Sequence, residues 1–497
     1  MNLFPKLSVA SCNPCPSPEL TVLHRADRAL EKVREFLHDE RMKIKTGSRN
    51  FAEFEAELHR RIMTLEREAV GEALEAADVD VPMLEIEGTV HRRVLRGPAT
   101  YMTAAGPVGV IRTLYKDRSD RVMPSLAALD LNVGIIEGYW TPLAAKQATW
   151  VVAQMTPGKA EELFRRVGNM EPSRSSLDRL PKAVSGRWED DREAFEATLR
   201  QQTLVPENTR TVAVSLDGVL IPMEGTAKQQ TREATAARGR PTKGPAGYKE
   251  AGCGTLSFCD ASGQTLAAVR LARAPEHKKA TLKTSIVAEL ASAMAQRPDL
   301  RVVKLADGAK DNWTFLVQDL PQGVEIIDFF HAAEHLDSAL AVAHGESSVE
   351  CRSQFAALRV ILLEAPGGVE RIITELDKLS RQHPRRRKLK TQLAYFQANR
   401  ERMRYKEFTD QGLPIGSGVV EAACKSLASQ RLKLGGMRWA KDGAQAMLTL
   451  RSWDQSERFD EAWALVAATY NLRVEMLQNV RPLPPPPLRK SGRRNAR

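Results

Sequence analysis

The fold is decided by residues 211–345, which open with TVAVSLDGVLIP at Thr211–Pro222. Apolar side chains at Val212, Val214 and Leu216 alternate with their neighbours, which predicts a β-strand. The rest of the stretch continues with strands at 252–260, 264–273, Arg301–Ala306 and Val324–Ile327 and with helices at 274–297, 311–320 and 328–343. The order β-β-β-α-β-α-β-α predicts three antiparallel strands followed by parallel ones reached through helices. We therefore expect a mixed α/β fold, a five-stranded sheet with helices on its faces.

Two acidic residues stand where strands of this sheet end. Asp217 lies near the end of the first strand, and Asp307 directly follows the strand RVVKLA. The first and fourth strands can be neighbours in such a sheet, so the two carboxylates can converge. Close carboxylates repel each other, and a divalent cation between them relieves the repulsion. Each Asp-Gly pair alone is typical of a plain strand-end turn, but the two together on this strand order favour a metal site.

Outside this stretch the chain changes character at several points. The predicted segments are an N-terminal helical region (1–85), a small β-containing segment (86–140), a helix-turn-helix-like DNA-binding region (141–205), the first part of the core (206–345), an all-helical insertion (346–411), the last part of the core (412–475) and a Pro-rich basic tail (476–497). In the third segment a turn at 168–172 separates two helices, the second beginning at Ser173. Arg174 and Arg179 on that helix are candidate DNA contacts, although an ordinary helical hairpin explains the pattern as well.

Composition limits the function classes. The 497 residues include 73 Lys and Arg and 62 Asp and Glu, a formal net charge of +11, which favours a polyanionic partner. Six cysteines are too few for a disulfide scaffold of this length and predict reduced thiols in the cytoplasm. No stretch reaches the roughly 20 apolar residues of a membrane helix, so a soluble protein is expected. Cys12 and Cys15 form half of a zinc motif without a second pair nearby.

An ordered set of motifs carries a resemblance to a known family. The motifs are SLDGV at 215–219, LADGAKDNW at 305–313, DFFHAAEHL at 328–336, PIGSGVVEAACK at 414–425 and RLKLGGMRWAKDGAQAMLTLR at 431–451. Together they resemble bacterial insertion-sequence transposases of the DDE class, and in particular the ISKra-type group, a distant relative of the Mutator-like transposases. The resemblance extends from about residue 86 to 455.

This resemblance implies an RNase H-like core interrupted by the helical insertion, with catalytic metal ligands at Asp217, Asp307 and Glu421. It implies Mg²⁺ or Mn²⁺ as cofactor, with two ions, in metal-dependent cleavage at the element ends and strand transfer into target DNA. The implied partner is double-stranded DNA, as inverted-repeat ends and as target, bound by a homodimer or larger assembly. The implied location is the bacterial cytoplasm, on the nucleoid. The sequence contains no Walker A motif, so no nucleotide cofactor is implied.

The resemblance also implies roles for residues whose function the local sequence pattern does not decide. His331 is a candidate catalytic residue that orients or donates to the scissile phosphate, and Asp328 before it is either part of the same motif or a helix cap. Asp311 is a rival second acid that more simply begins a helix. Glu421 has a plain alternative, a surface salt bridge to Lys425 one turn later.

Candidate DNA contacts in the C-terminal motifs are basic: Lys425, Arg431, Lys433 and Arg438. Arg238 and Arg240 lie in a basic, Gly- and Pro-rich loop at 225–250 and are expected to contact the DNA backbone. Trp313 and Trp439 could stack on a displaced base, but burial in the core is the simpler expectation.

Two other function classes remain open. A transposase-derived, catalytically inactive DNA-binding protein would keep the basic surfaces without the chemistry. The residues His331-Ala332-Ala333-Glu334-His335 also match the H-x-x-E-H pattern of a family of zinc proteases, in which both histidines bind zinc and the glutamate is the base. Bound zinc would favour the protease, and nicking of DNA with Mg²⁺ or Mn²⁺ would favour the transposase.

Overall fold

A computed structural model of the chain describes residues 25–119, 122–225, 227–240 and 247–477. These residues form two compact units. The first, here called the N-terminal unit, comprises the described parts of Met1–Val133 and Arg473–Arg497, and the second, the core unit, is Gly134–Leu472. The Cys12 and Cys15 pair and nearly all of the Pro-rich tail lie outside the described residues.

The strands are, in chain order, β1 (Met83–Ile86), β2 (Thr89–Thr103), β3 (Gly106–Asp117), β4 (Leu126–Ala127), β5 (Thr211–Pro222), β6 (Tyr248–Cys259), β7 (Thr265–Arg273), β8 (Arg301–Ala306), β9 (Val324–Ile327) and β10 (Val474–Met476). The helices are α1 (Arg25–Lys45), α2 (Phe51–Ala76), α3 (Ala128–Val133), α4 (Pro142–Gln154), α5 (Pro157–Val167), α6 (Arg174–Asp190), α7 (Arg192–Gln202), α8 (Ala227–Ala237), α9 (Ala280–Gln296), α10 (Lys310–Gln318), α11 (Phe329–His344), α12 (Val349–Glu364), α13 (Gly368–Gln382), α14 (Arg387–Ala398), α15 (Tyr405–Asp410), α16 (Gly418–Ala423), α17 (Gln430–Leu432), α18 (Lys441–Gln455) and α19 (Phe459–Ala468).

The N-terminal unit combines a helical hairpin with a sheet. Helices α1 and α2 pack through stacked rings of Phe36 and Phe54, whose centroids are 5.6 Å apart. The sheet has the order β10-β1-β2-β3-β4, and β2 and β3 form a long antiparallel hairpin. The hairpin turns at Gly106, whose positive φ of 116° suits glycine. Strand β10 was not predicted, because three residues with no clear alternation give no strand signal.

The core unit has a sheet of the predicted kind. Its order is β7-β6-β5-β8-β9, so in space the third, second, first, fourth and fifth strands follow one another. Strands β5, β6 and β7 pair antiparallel, while β8 pairs parallel with both β5 and β9. This order and these directions, with helices on the faces, are those of an RNase H-like fold. The prediction of a mixed α/β sheet with the first and fourth strands side by side is confirmed.

The helical insertion shares the core of this sheet. Residues of α12 to α15 belong to the same buried apolar cluster as Val214 of β5 and Val303 of β8. The turn between α12 and α13 needs glycine at Gly368, because a Cβ there would lie 2.2 Å from the carbonyl oxygen of Ile361. The insertion is therefore all-helical, as predicted, and it packs as a continuation of the apolar core of the sheet.

The predicted DNA-binding helices are also part of the core unit. Ser173 caps α6 as expected, with its Oγ accepting a hydrogen bond from the amide of Ser176 at 3.2 Å. One face of α6 is buried, and Trp188 on it packs edge-on against Trp453 of α18 at 4.7 Å between centroids. Helix α6 therefore has only its outer face available for a ligand.

One local prediction was wrong. The basic segment at 225–250 is not wholly a loop, because its Ala-, Gln- and Glu-containing part forms α8. Ser417 does not cap the helix of Glu421 through its side chain. Instead, that helix runs from α16 through a π-helical segment, Cys424–Ser429, into α17. Among the described residues, no helix has the length and apolar character needed to cross a membrane.

Candidate active site

Asp217 and Asp307 lie at the same level of two neighbouring parallel strands. Strand β5 pairs with β8 so that Val214 lies opposite Lys304. Asp217 is three residues further along, inside β5, which continues to Pro222, whereas Asp307 directly follows the last residue of β8. Both side chains line a cavity of about 880 Å³, together with Asp311 and Asn312 of α10. The sheet thus brings together the two acids that the sequence singled out.

The Asp217 carboxylate has close polar neighbours. Its Oδ1 accepts a hydrogen bond from the amide of Gly218 at 2.6 Å, and its Oδ2 lies 3.6 Å from the thiol of Cys424, which donates to it. Lys279 donates to the Asp217 backbone carbonyl at 3.4 Å and forms an ion pair with Glu250 at 3.0 Å. The first acid is therefore held by the π-helical segment on one side and by Lys279 on the other.

Asn312 ties the second acid to the strand of the first. Its Nδ2 donates to Oδ1 of Asp307 and to the carbonyl oxygen of Leu216, both at 3.2 Å. The indole of Trp313 donates to the Asp307 carbonyl at 2.6 Å, so two adjacent residues of α10 fix the turn. Sequence reasoning missed Asn312. The sequence feature that could have identified Asn312 is its position in the motif LADGAKDNW, in the first turn of the helix that follows Asp307.

Tyr395 of the helical insertion covers the same turn. A Cβ on Gly308 would lie 2.5 Å from Cε2 of Tyr395, so the residue after Asp307 has to be glycine unless the ring moves. Among the described residues the Tyr395 hydroxyl has no hydrogen-bond partner, and burial together with the charges of Asp307 and Asp328 raises its pKa. This contact could not be predicted from the sequence, because residues 308 and 395 are far apart in the chain.

Glu421 lies on α16 among other carboxylates. Its side chain is exposed, yet partial desolvation and then the charge of Asp328 raise its pKa, with smaller contributions from Asp217 and Glu334. Its Oε1 lies 3.5 Å from the Ser417 hydroxyl, which donates to it. The described residues show no ion pair between Glu421 and Lys425, the plain alternative considered for this glutamate.

Asp328 is a buried cap that joins two site segments. One carboxylate oxygen accepts from the amide of His331 at 2.8 Å, as in a helix N-cap. The other accepts from the amide of Ser417, in the loop that leads to Glu421. His331 lies one turn into α11, with Nδ1 at 3.5 Å from Glu334. Asp311, the rival second acid, lies in the first turn of α10.

The two histidines of the H-x-x-E-H pattern have other partners. The ring of His335 stacks on Tyr395 with 3.8 Å between centroids, and its Nδ1 lies 2.5 Å from Oε1 of Gln392. Burial is the main cause that lowers the pKa of His335. These contacts favour a packing role for His335 against the insertion rather than zinc ligation.

The donor chemistry fits a divalent cation only in part. Within the described ranges no group of three or more His, Cys, Asp or Glu side chains is arranged to hold a metal ion. The carboxylates of Asp217 and Asp307 do share a cavity, and the negative charge around Glu421 is of the kind that a cation relieves. Mg²⁺ is commonly held by one or two carboxylates plus phosphates of the substrate. Asp217 and Asp307 can supply those two carboxylates.

Some of the basic residues singled out in the sequence share a second cavity in the core unit. Arg174, Arg431 and Arg438 line a cavity of about 1100 Å³ next to the first turns of α5 and α6. Arg174 and Arg438 are exposed, but Arg431 is only 2% exposed and lies over the ring of Trp439 at 5.2 Å. Burial and then the charge of Arg451 lower the pKa of Arg431 to about 10.

The remaining candidates are dispersed. Arg179, Lys425, Lys433, Arg238 and Arg240 are exposed and do not line this cavity. Trp313 is buried, with the Arg402 guanidinium 4.0 Å above its ring, as expected of a core tryptophan. Trp439 is half-buried and donates from its indole to the Leu432 carbonyl at 3.0 Å.

The core unit thus combines an RNase H-like fold with a cavity lined by carboxylates, where β8 ends beside β5. No protein-family model matches the sequence. No curated protein matches it either. Among solved structures, the chain is similar to the Drosophila P element transposase strand transfer complex, with 9% identity and a TM-score of 0.26 over 66% of this chain and 81% of that chain.

Proposed function

We propose that this protein is a DDE-type transposase of the ISKra-type insertion-sequence group, which cleaves DNA at the element ends and joins those ends to target DNA. The observation that carries the proposal is the placement of Asp217 and Asp307. Asp307 follows β8, Asp217 lies at the same level of the parallel neighbour β5, and both line one cavity. Asn312 connects the Asp307 carboxylate to the carbonyl of Leu216, the residue before Asp217. The ordered motifs of the sequence support the same function.

In this proposal Asp217, Asp307 and Glu421 would hold two Mg²⁺ or Mn²⁺ ions, with phosphate oxygens of the DNA completing the site. When bound, the ions neutralise phosphate charge and favour deprotonation of the attacking water or 3′-hydroxyl. The contribution of the chain is to fix the carboxylates. Asn312 holds Asp307, the Cys424 thiol and Lys279 hold the segment of Asp217, and Asp328 holds the loop before Glu421.

His331 has a separate proposed role. Its ring lies on the first turn of α11, whose cap, Asp328, also binds the amide of Ser417 before the Glu421 helix. From that position we assign it to orient the scissile phosphate by a hydrogen bond. Glu334 lies 3.5 Å from Nδ1 of the same ring.

Double-stranded DNA is the proposed partner, bound in a homodimer or larger assembly on the nucleoid. Support comes from the net charge of +11 and from the exposed Arg174 and Arg438 beside the first turns of α5 and α6. Each element has two ends to be cut and joined, so at least two active sites have to act together.

The test uses the full chain and a supercoiled plasmid carrying the DNA that borders the coding sequence on both sides. Asp217→Asn, Asp307→Asn and Glu421→Gln should each lower Mg²⁺- or Mn²⁺-dependent nicking and strand transfer by orders of magnitude, while DNA binding persists. Asp311→Asn is the matched control, because Asp311 lines the same cavity and is assigned no ion. It should stay within a few-fold of the parent.

Two outcomes would contradict the proposal. DNA binding by the parent protein without any metal-dependent nicking would favour the inactive DNA-binding protein. Activity of Glu421→Gln within a few-fold of the parent would remove Glu421 from the metal ligands.

A further inference from the structure

A strained turn lies on the rim of the active-site cavity. Residues His277–Lys279 form a single 3-10 turn before α9, and Lys278 and Lys279 both have positive φ, at 51° and 55°. Two successive non-glycine residues in this conformation cost free energy and persist only where surrounding contacts impose them. Such strain is found most often where a protein presents a group for function.

Contacts on both sides hold the turn in place. Lys279 forms the ion pair with Glu250 and donates to the carbonyl of Asp217. On the other side Glu276 accepts a hydrogen bond from the amide of Leu282 at 3.0 Å and so caps α9. The side chain of Lys279 is thus used to fix the turn against the strand of the first acid.

Lys278 is left with a different role. Its side chain is exposed and lines the same cavity as Asp217 and Asp307, and within the described part of the chain it forms no ion pair. Further lysines line this cavity, namely Lys249, Lys279, Lys283 and Lys441. This lysine is held by a strained turn and is not neutralised by the nearby acids. Its ammonium group can therefore bind an anion that enters the cavity.

We propose that Lys278 is a substrate-contacting residue whose ammonium group binds a phosphate of the DNA strand held next to Asp217. The inference rests on the proposed function and adds a contact that the sequence motifs did not indicate. The phosphate concerned is a backbone neighbour of the cleaved one, because the carboxylates and their ions occupy the cleavage position. A point charge on a flexible stem can follow that backbone without reading its sequence.

The experiment compares substitutions of Lys278 in the full chain by plasmid nicking at increasing salt. Lys278→Gln should raise the KM for DNA about tenfold with little change in kcat, and the slope of log(kcat/KM) against log salt should fall by about 1, the loss expected for one phosphate contact. Lys278→Arg should keep both values near the parent, because it keeps the charge.

Lys278→Gly separates contact from strain. Glycine accepts the positive φ, so this variant should unfold at a higher temperature than the parent and yet show the same raised KM as Lys278→Gln. Lys310→Gln, an exposed lysine at the start of α10 that does not line the cavity, is the matched control and should leave the salt slope unchanged.

The inference is overturned if Lys278→Gln and Lys278→Gly keep the parent KM and salt slope while the parent protein nicks DNA. If the parent itself fails to nick DNA under any metal condition, the proposed function fails first, and the two failures are thereby distinguished.

Discussion

Asn312 is the buried residue that connects Asp307 to strand β5. It is buried, and one amide group donates both to the carboxylate of Asp307 and to the backbone of Leu216, next to Asp217. An asparagine side chain with two defined acceptors fixes the distance between the two strand ends. In the proposed reaction it would act through Asp307, as a positioning residue.

We expect Asn312→Leu, which keeps the volume and removes the donor, to lower nicking tenfold or more. The Leu216 carbonyl and Oδ1 of Asp307 each lose one donor, although Oδ1 keeps the amide of Ala309 at 3.1 Å, so the free energy of unfolding should also fall by about 1–3 kcal/mol. Metal titration of nicking measures the positioning role, because a looser Asp307 should raise the Mg²⁺ concentration needed for half-maximal rate.

Thr314→Val on the same helix is the control for Asn312→Leu. The Thr314 hydroxyl is exposed and bonds only to the Lys310 carbonyl within the helix, at 3.0 Å. It should change neither the rate nor the metal dependence. An unchanged metal dependence in Asn312→Leu would show that Asp307 is held without this amide.

At the scale of elements, one buried ion pair joins α9 to the start of α19. Arg458 and Glu289 make two hydrogen bonds, at 2.8 and 3.0 Å, with side chains only 9% and 6% exposed. Breaking such a pair leaves an uncompensated buried charge, which costs more than the pair itself contributes. This contact therefore limits how far α9, which carries Lys283 on the cavity, can move from the C-terminal helices.

Glu289→Gln should accordingly lower the free energy of unfolding of the core unit by about 3–5 kcal/mol, measured by denaturant unfolding. Asp377→Asn, which breaks the exposed pair with Arg381, should change it by less than about 1 kcal/mol. Equal effects of the two substitutions would mean that burial of the Arg458 pair contributes nothing to stability.

At the scale of the whole molecule, charge and packing together limit where DNA can bind. Helix α6 buries Trp188 against α18, so it cannot enter a groove on all sides as a free recognition helix would. The exposed guanidinium groups of Arg174 and Arg179 remain on its outer face. Deletion of the first 200 residues, which would test a separate DNA-binding domain, would here also remove part of the core packing.

Replacing Arg174 and Arg179 together by alanine is the sharper test of DNA binding. If each contacts one phosphate, affinity for any duplex should fall, and the slope of log affinity against log salt should decrease by about 2. Fluorescence anisotropy with a labelled duplex measures both quantities. Arg381→Ala, an exposed arginine paired with Asp377, should leave the slope as it was, and an unchanged slope in the double variant would move the DNA contact elsewhere.

Much of the fold could be predicted from the sequence because its signals are local. Strand β5 has the bounds that its alternation predicted, and β8 and β9 have theirs, since short buried strands between helices leave a clear apolar pattern. The strand order then brings Asp217 and Asp307 to the same level of two neighbouring strands, because parallel neighbours run in the same direction. Glu421 could be singled out only through the resemblance, because one glutamate on a helix carries no signal of its own.

The tertiary structure alone decided which side chains support these acids. Asn312 reaches Leu216, Tyr395 covers Gly308, and Asp328 binds Ser417, each across a long separation in the chain. Such contacts depend on how helices and loops pack against the sheet, and periodicity within one segment does not encode that. The sequence by itself therefore determined the order of the strands and the acids on the first and fourth of them, while packing decided the geometry that holds those acids in place.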